Sequence, residues 1–513
     1  MSNIEIDILD VAQSFVRKEK RYPSLIDLVL LGVTRAMVRT QYGSLEGLKD
    51  AIIETCDSIF DLERNEYITL KNSSKRWVFT TAVTDSSVDK GFLKNIKAYC
   101  KHHNASLGIF VSQMKSRNGW LIDPILRDEQ IITTDVALND NLFLLGIKNS
   151  AGKADPITGL PRVGKRNGTF ICASPKQRLK YVATGVNKLP HALMSTGACT
   201  LPNYIQTETL INQKDYITDY DHVMGAIIVE LDKNDTFHFR QIQADKHGSF
   251  CDLGKQWKNG KETSIIPILV PGDWHSGSTS PEVRKATINL SDKLKIKEWI
   301  MHDTFDGTSI NHHEMQQHLT LAKKSEQGLL SLDDELAGYA KELAELSKKR
   351  KLTLVYSNHD DFLKRYLEAA HYVEHPRNHR TALALALSVL DGQNPLEYFC
   401  DSTFDTKNIV WLKLDESYKI GGVELGMHGH LGSNGSRGGS PANMEMSYGK
   451  VVYGHRHTAE ILRDAYCVGT STHLTLGYNK GSSSWTHTHC LVYPNGQRQL
   501  INFINGSFTN MLT

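Results

Sequence analysis

The chain lacks a strong charge of either sign. Its 59 Lys and Arg stand against 57 Asp and Glu, a net charge of +2 over 513 residues. Such a balance exerts no long-range pull on nucleic acid, so any attraction must come from local patches or bound cations. No run of 18 apolar residues occurs, and the start Met1-Ser2-Asn3-Ile4-Glu5 has no basic, apolar leader. Membrane insertion and export are therefore not expected. The eight Cys (56, 100, 172, 199, 251, 400, 467 and 490) are scattered without a Cys-x-x-Cys pair, the pattern of reduced, mostly buried thiols in a cytoplasmic protein. There is no Walker-type phosphate loop, no dinucleotide fingerprint, no repeat and no low-complexity tract. What remains is an ordinary globular composition, 40% hydrophobic and 23% charged, in a chain too long for one core.

Against that background five short polar segments stand out in the second half. They are Gly272-Asp273-Trp274-His275, His302-Asp303-Thr304-Phe305-Asp306-Gly307, Ser357-Asn358-His359-Asp360, His428-Gly429-His430 and Gly454-His455-Arg456-His457. Each supplies oxygen or imidazole groups of the kind that bind divalent cations. They are spaced by 30 residues from Asp273 to Asp303, 55 to Asn358, 70 to His428 and 27 to His455. Each gap has room for a strand and a crossover. With 22 His in the chain, an isolated His-x-His pair would mean little, but five ordered segments are another matter.

Each segment directly follows a β-rich run: Ile265–Val270, Trp299–Met301, Leu352–Tyr356, Val423–Met427 and Val451–Tyr453. This predicts ligands on successive loops of one largely parallel sheet, converging outside the carboxyl ends of its strands. A helix is expected between two of these strands. Ser331 suits its N-cap, Asp333, Asp334 and Glu335 its first turn, Leu336, Tyr339, Leu343 and Leu346 its buried face, and Lys348 to Lys351 its negative end.

The ordered segments resemble the calcineurin-like metallophosphoesterase superfamily, whose pattern reads DxH, GDxxD, GNH[DE], H and GHxH; the likeness covers roughly residues 262 to 513. The resemblance implies an αββα-sandwich core and two divalent metal ions. Asp273, His275 and His457 would hold one and Asn358, His428 and His455 the other, with Asp303 bridging. It further implies His359 as proton donor to the leaving oxygen, oriented by Asp306. Two cations clamping an in-line displacement at phosphorus, with neutral imidazoles as ligands, form a self-consistent chemistry. Mn is the first choice by resemblance to the nuclease branch, and the ligands would also accept Fe, Zn, Ni or Mg.

Departures from the pattern refine the expectation. His302 and Ser357 stand where the family usually has Gly. Gly307 stands where the protein-phosphatase branch has a phosphate-binding Arg, which argues against phosphoprotein substrates. His-Asp-Thr-Phe-Asp is similar to the GDxF form of the DNA-repair exonuclease branch. His312 and His313, one short loop after Asp303, would lie at the cleft rim and meet substrate, or else begin a helix facing solvent. The Gly-rich stretch 429–439 offers backbone N–H groups and Arg437 for a phosphate, or is a plain flexible loop. That loop and the stretch at 483–496 resemble phage-encoded, DNA-degrading members of the superfamily, which would place the protein in the host cytoplasm.

The N-terminus has a helix-turn-helix layout. Ser24 opens one helix ending at Leu31, Gly32-Val33 turns, Thr34 caps a second running to Tyr42, and Gly43-Ser44 leads to a third. Arg35, Arg39 and Gln41 would face a groove or phosphates, or the module is a helical bundle for packing or oligomer contacts. Further on, 76–83, 92–100 and 105–111 form a βαβ unit, and Lys153, Arg162, Lys165 and Arg166 dot an exposed loop from Ser150 to Gly168. The combined expectation is an α/β protein. A helix-turn-helix-like module fills residues 1–72, an α/β accessory domain 73–261 and the metallophosphoesterase core 262–513. It would be a two-metal DNase with DNA as partner, free of membranes and compatible with homo-oligomers. The alternatives are a nucleotide or small-molecule phosphoesterase, and a DNA-binding or assembly protein with a vestigial metal site.

Overall fold

Residues 7–19, 23–55, 75–113, 122–146, 149–162, 168–185, 188–204, 213–477 and 479–509 are described by the computed structural model. Lys165 and Arg166, the start of the chain and residues 56–72 of the N-terminal segment lie outside them. Among the described residues the chain is a mixed α/β protein built from helices and several β-sheets.

The N-terminal helices are Ile8–Glu19, Leu25–Leu30, Arg35–Tyr42 and Leu45–Thr55. Ser24 Oγ accepts from the Asp27 N–H (3.2 Å) while the Asp27 carboxylate accepts from the Ser24 N–H (2.7 Å), a complete capping box. Thr34 Oγ1 likewise accepts from the Met37 N–H. Gly43 ends helix Arg35–Tyr42 at φ 70°, a left-handed turn that a side chain would strain. Ala12, Val16, Leu28, Val33, Val38 and Leu48 give the module its own apolar core.

Strand Arg76–Val83, helix Lys90–His103 and strand Ser106–Ser112 form the expected βαβ unit, the strands pairing in parallel. They belong to a five-stranded sheet with Gln130–Ile132, Gly225–Leu231 and Phe237–Gln243. One strand of this sheet carries a fully buried Arg240. Its guanidinium meets the carboxylates of Glu230 and Asp252, which are buried as well. Asp252 also accepts from Gln499 Nε2 (2.7 Å), and Glu230 from Thr509 Oγ1 (2.6 Å). A buried charge that lost these partners would cost several kcal/mol, roughly 3–5. The network thus ties the middle segment to the C-terminal one.

In the second half, Ile268–Val270, Glu298–His302, Lys351–Val355 and Ile409–Trp411 pair in parallel, and Thr488–Val492 and Arg498–Asn502 extend the sheet antiparallel beyond Ile268–Val270. Helix Leu332–Ser347 packs on this sheet as its sequence dictates. Ser331 Oγ accepts from the Asp334 N–H, and Leu336, Tyr339, Leu343 and Leu346 are buried against Trp274, Trp299 and Leu352. Burial of each such side chain contributes roughly 1.5–3 kcal/mol.

Two expectations are corrected here. The five ligand-bearing strand ends do not share one sheet. Val423–Glu424 and Val451–Tyr453 lie instead in a ten-stranded sheet. The Gly421-Gly422 turn, at φ 57° and 79°, folds 419–424 into a hairpin that pairs with Val451–Tyr453, which in turn pairs with Ala465–Cys467. Nor does residue 261 divide sheet from sheet. Glu460–Leu462 pairs antiparallel with Gln177–Val182, so five strands before residue 200 complete the ten-stranded sheet. Its inner face (Leu179, Met194, Val452, Ile461, Tyr466) and that of the six-stranded sheet (Val270, Ile300, Val355, Val492) fill one core. A strand with two apolar faces cannot leave either in water, which is why the middle segment is not self-sufficient.

A chain beginning at residue 262 removes the partner of Glu460–Leu462 and opens this shared core. It is expected to be insoluble or to lack a cooperative thermal transition by circular dichroism, while a chain beginning at residue 75 retains one. A cooperative melt of the shorter chain would show that the two segments are separable.

Candidate metal centre

The polar segments leave their strands and are immediately tied to one another by the backbone. Trp274, His275 and Ser276 donate their N–H groups to the carbonyls of His302, Asp303 and Thr304, and Asp273 donates to Gly469. Gly272 N–H donates to Nδ1 of His489 (2.9 Å), whose Nε2 meets the Thr287 hydroxyl (2.7 Å). Nδ1 therefore accepts, His489 is a neutral imidazole, and its burial pushes it down to about 3. Gly454 is required by contact: a Cβ there would stand 2.1 Å from Asp273 Oδ1. His275, Asp303, His455 and His457 all have left-handed backbones, with φ of 47°, 50°, 72° and 56°. Left-handed φ at four of the seven expected ligands is a strain that the surrounding fold must hold in place.

The side chains converge. One ligand atom from each of Asp273, His275, Asp303 and His457, all buried, lies within 4.8 Å of those of the other three, a cluster that could hold a metal ion. Asp303 Oδ2 is 3.3 Å from His275 Nε2 and 3.5 Å from His428 Nε2. His457 Nε2 is 3.2 Å from Asp273 Oδ2 and 3.1 Å from His275 Nε2. On the other side of Asp303, Asn358 Oδ1 lies 3.1 Å from both His428 Nε2 and His455 Nδ1. All seven expected ligands thus meet in two groups that share Asp303.

The donor set fits a divalent cation. Both carboxylate oxygens of Asp273 and Oδ1 of Asp303 are buried without a hydrogen-bond partner, a costly arrangement for anions unless a cation neutralises them. Burial and the charge of Asp303 hold Asp273 well above the usual carboxylate range. For Asp303, burial is outweighed by His359, His275 and His428, which hold it well below that range. Burial pushes His455 and His457 down to about 4 and holds His428 well below its ordinary value, so these imidazoles are neutral at neutral pH. Neutral imidazole is the form that binds metal.

His359 stands at the edge of this cluster, its Nε2 3.9 Å from Asp303 Oδ2 and its side chain 16% exposed. Its Nδ1–H donates to the backbone carbonyl of Asp306 (2.7 Å), which leaves Nε2 facing the cluster. The carboxylate of Asp306, expected to orient His359, does something else. It accepts from His275 Nδ1 (3.1 Å), from Ser278 Oγ (3.1 Å) and from Thr308 Oγ1. The turn at Gly307, φ 69°, directs the carbonyl rather than the carboxylate toward His359. Against burial, the His275 hydrogen bond and charge hold Asp306 at about 2. Asp306 therefore orients a metal ligand with its side chain and the candidate proton donor with its main chain.

His312 and His313 lie at the rim, packed on Phe362, which in turn stacks on His359. Arg437 is exposed and, among the described residues, makes no hydrogen bond or ion pair with the cluster. Lys153 turns back onto the carbonyls of Pro156 and Thr158. Arg35, Arg39 and Gln41 are exposed on helix Arg35–Tyr42 of the N-terminal module. Three further residues border the cluster without having been assigned a role from sequence. His302 stacks on His428 (5.7 Å, 27°), His430 lies 5.5 Å from His428, and Trp485 packs edge-on against His457 (4.3 Å). Their only signal was adjacency to the motifs, in His302-Asp303, His428-Gly429-His430 and Ser-Ser-Trp-Thr-His.

No protein-family model matches the chain, and no solved structure matches it. A comparison with known proteins finds Protein A1 of Escherichia phage T5, 33% identical over 467 residues, an alignment that covers 85% of this chain and 83% of that protein.

Replacing Asp306 by Asn removes the negative partner of His275 while leaving all seven expected ligands in place. Metal affinity measured by isothermal titration is expected to fall by about 10–100-fold, the usual effect of losing such an orienting carboxylate. Unchanged affinity would mean that the Asp306–His275 contact does not support metal binding.

Proposed function

The chain belongs to the family of Protein A1 of Escherichia phage T5, and from the geometry of its metal centre we propose that it is a two-metal phosphodiesterase that hydrolyses DNA. The observation that carries this reading is the position of Asp303 Oδ2 between His275 Nε2 and His428 Nε2, at 3.3 and 3.5 Å, with Asn358 joining His428 to His455 beyond. One carboxylate between two ligand groups is what a pair of cations requires. Asp273, His275 and His457 would hold one ion, and Asn358, His428 and His455 the second. Mn is our first assignment, with Fe, Zn, Ni or Mg accepted by the same donors. In this reading the two sheets that share a core, with helices outside the six-stranded one, form the αββα core of a metallophosphoesterase.

Bound divalent ions supply positive charge to the phosphate oxygens and acidify an attacking water. The rest falls to the chain. The backbone ties between Trp274–Ser276 and His302–Thr304 hold the ligand loops in register, so little reorganisation is needed when a phosphate arrives. The attacking water gives up a proton to solvent as its oxygen bonds to phosphorus, and the bond to the leaving oxygen breaks on the opposite side. His359, with Nδ1–H kept on the Asp306 carbonyl, gives its Nε2 proton to that leaving oxygen.

DNA is favoured as substrate by three features. They are the His-Asp-Thr-Phe-Asp form of the second motif, Gly307 where a phosphoprotein phosphatase would have Arg, and the helix-turn-helix layout with Arg35, Arg39 and Gln41 outward. The relative is a phage protein, which fits action in the host cytoplasm; among the described residues no helix is long and apolar enough to cross a membrane.

Supercoiled and linear duplex DNA incubated with the protein and Mn²⁺ should be degraded, with no loss in EDTA or with Asp303→Ala. His359→Ala should keep its metals and slow turnover by roughly two to four orders of magnitude. Intact DNA beside hydrolysis of small phosphodiesters would move the assignment to a nucleotide phosphoesterase. Inactivity on both would favour a binding protein.

A further inference from the structure

The rim beyond His359 carries cationic and imidazole groups that the hydrolytic step does not use. Phe362, in helix Asp360–Glu368, lies almost flat on His359, centroids 4.4 Å apart and planes 24° apart. His312 stands edge-on to Phe362 at 4.7 Å, and His313 lies 3.9 Å from His312. Arg365, three residues along the helix from Phe362, donates from Nη1 to His312 Nε2 (3.2 Å), and its side chain is otherwise exposed. The neighbouring carboxylates are engaged elsewhere, Glu314 with Lys324 and Glu368 with Lys364. Burial first, and then the charges of His313, Arg365, His359 and His371, hold His312 below its ordinary value.

We propose that Arg365, with His312 and His313, forms a subsite for a second phosphate of the substrate, the diester one nucleotide beyond the scissile bond on the leaving-group side. This deepens the phosphodiesterase reading and rests on it. Phe362 is buried, so it does not stack on a base. It lies between the candidate proton donor and the His312–Arg365 pair and holds the two apart. The guanidinium offers the paired donors suited to a phosphate, which the chain lacks at Gly307. Binding energy from a remote phosphate would favour polynucleotides over mononucleotide diesters.

The test compares a single diester, the dinucleotide TpT, with the trinucleotide TpTpT in Mn²⁺. A second arm measures binding of fluorescein-labelled TpTpT by anisotropy in EDTA, where no turnover is needed. Wild type should show a kcat/KM at least about tenfold higher on TpTpT, and Arg365→Ala should lose most of that advantage and bind TpTpT about tenfold more weakly. Arg365→Lys should fall between the two. A trinucleotide advantage and a Kd that survive Arg365→Ala would overturn the subsite, as would a wild type without the advantage. If wild type cleaves no diester with any cation, the phosphodiesterase reading fails, and the anisotropy arm still judges the subsite: an unchanged Kd rejects it.

Discussion

Two carboxylates, Asp273 and Asp303, are buried together at the junction of two sheets, and most of the second half of the chain is arranged around that fact. Anions in such a place are stable only with compensating charge, and five imidazoles are brought to them from three other loops and from their own. The cost is visible in the backbone, where His275, Asp303, His455 and His457 are all left-handed. It is visible again at Gly454, the point where only a hydrogen fits beside Asp273. A neutral His489 beneath Gly272 and the Asp306 carboxylate beside His275 complete the support. A cation is the natural resolution of this charge arrangement, and the phosphodiesterase reading follows from the way the ligands divide on either side of Asp303.

Much of this was legible in the residues themselves. A ligand that follows a short apolar strand is a local pattern, and the strands before Asp273, Asp303, Asn358 and His455 fall where the apolar runs do. Helix Leu332–Ser347 was equally legible, because its cap, its acidic first turn and its apolar face are all local features. The βαβ unit at 76–112 and the helices from Ser24 to Thr55 follow for the same reason.

What was not legible depends on partners distant in the chain. Nothing in Glu460–Leu462 names Gln177–Val182 as its neighbour, yet that pairing joins the middle segment to the metal-bearing one in a single sheet. The division of ligand strands between two sheets has the same origin, since a hairpin at Gly421-Gly422 decides where Val423–Glu424 lies. At the site itself, Asp306 lies beside the cluster, but the motif could not say which of its oxygens faces which histidine. That is settled by one left-handed glycine, Gly307. Likewise the stack from His359 through Phe362 to His312 joins three residues that no spacing rule connects.

The central claim is that Asp303 is shared between two cations. Calorimetric titration of the metal-free protein with Mn²⁺ addresses it most directly, with Asn358→Ala and Asp303→Ala alongside. The account predicts two ions per chain for wild type, one for Asn358→Ala and fewer than one at comparable affinity for Asp303→Ala. A wild type that binds a single ion, or an Asp303→Ala protein that keeps both, would contradict it.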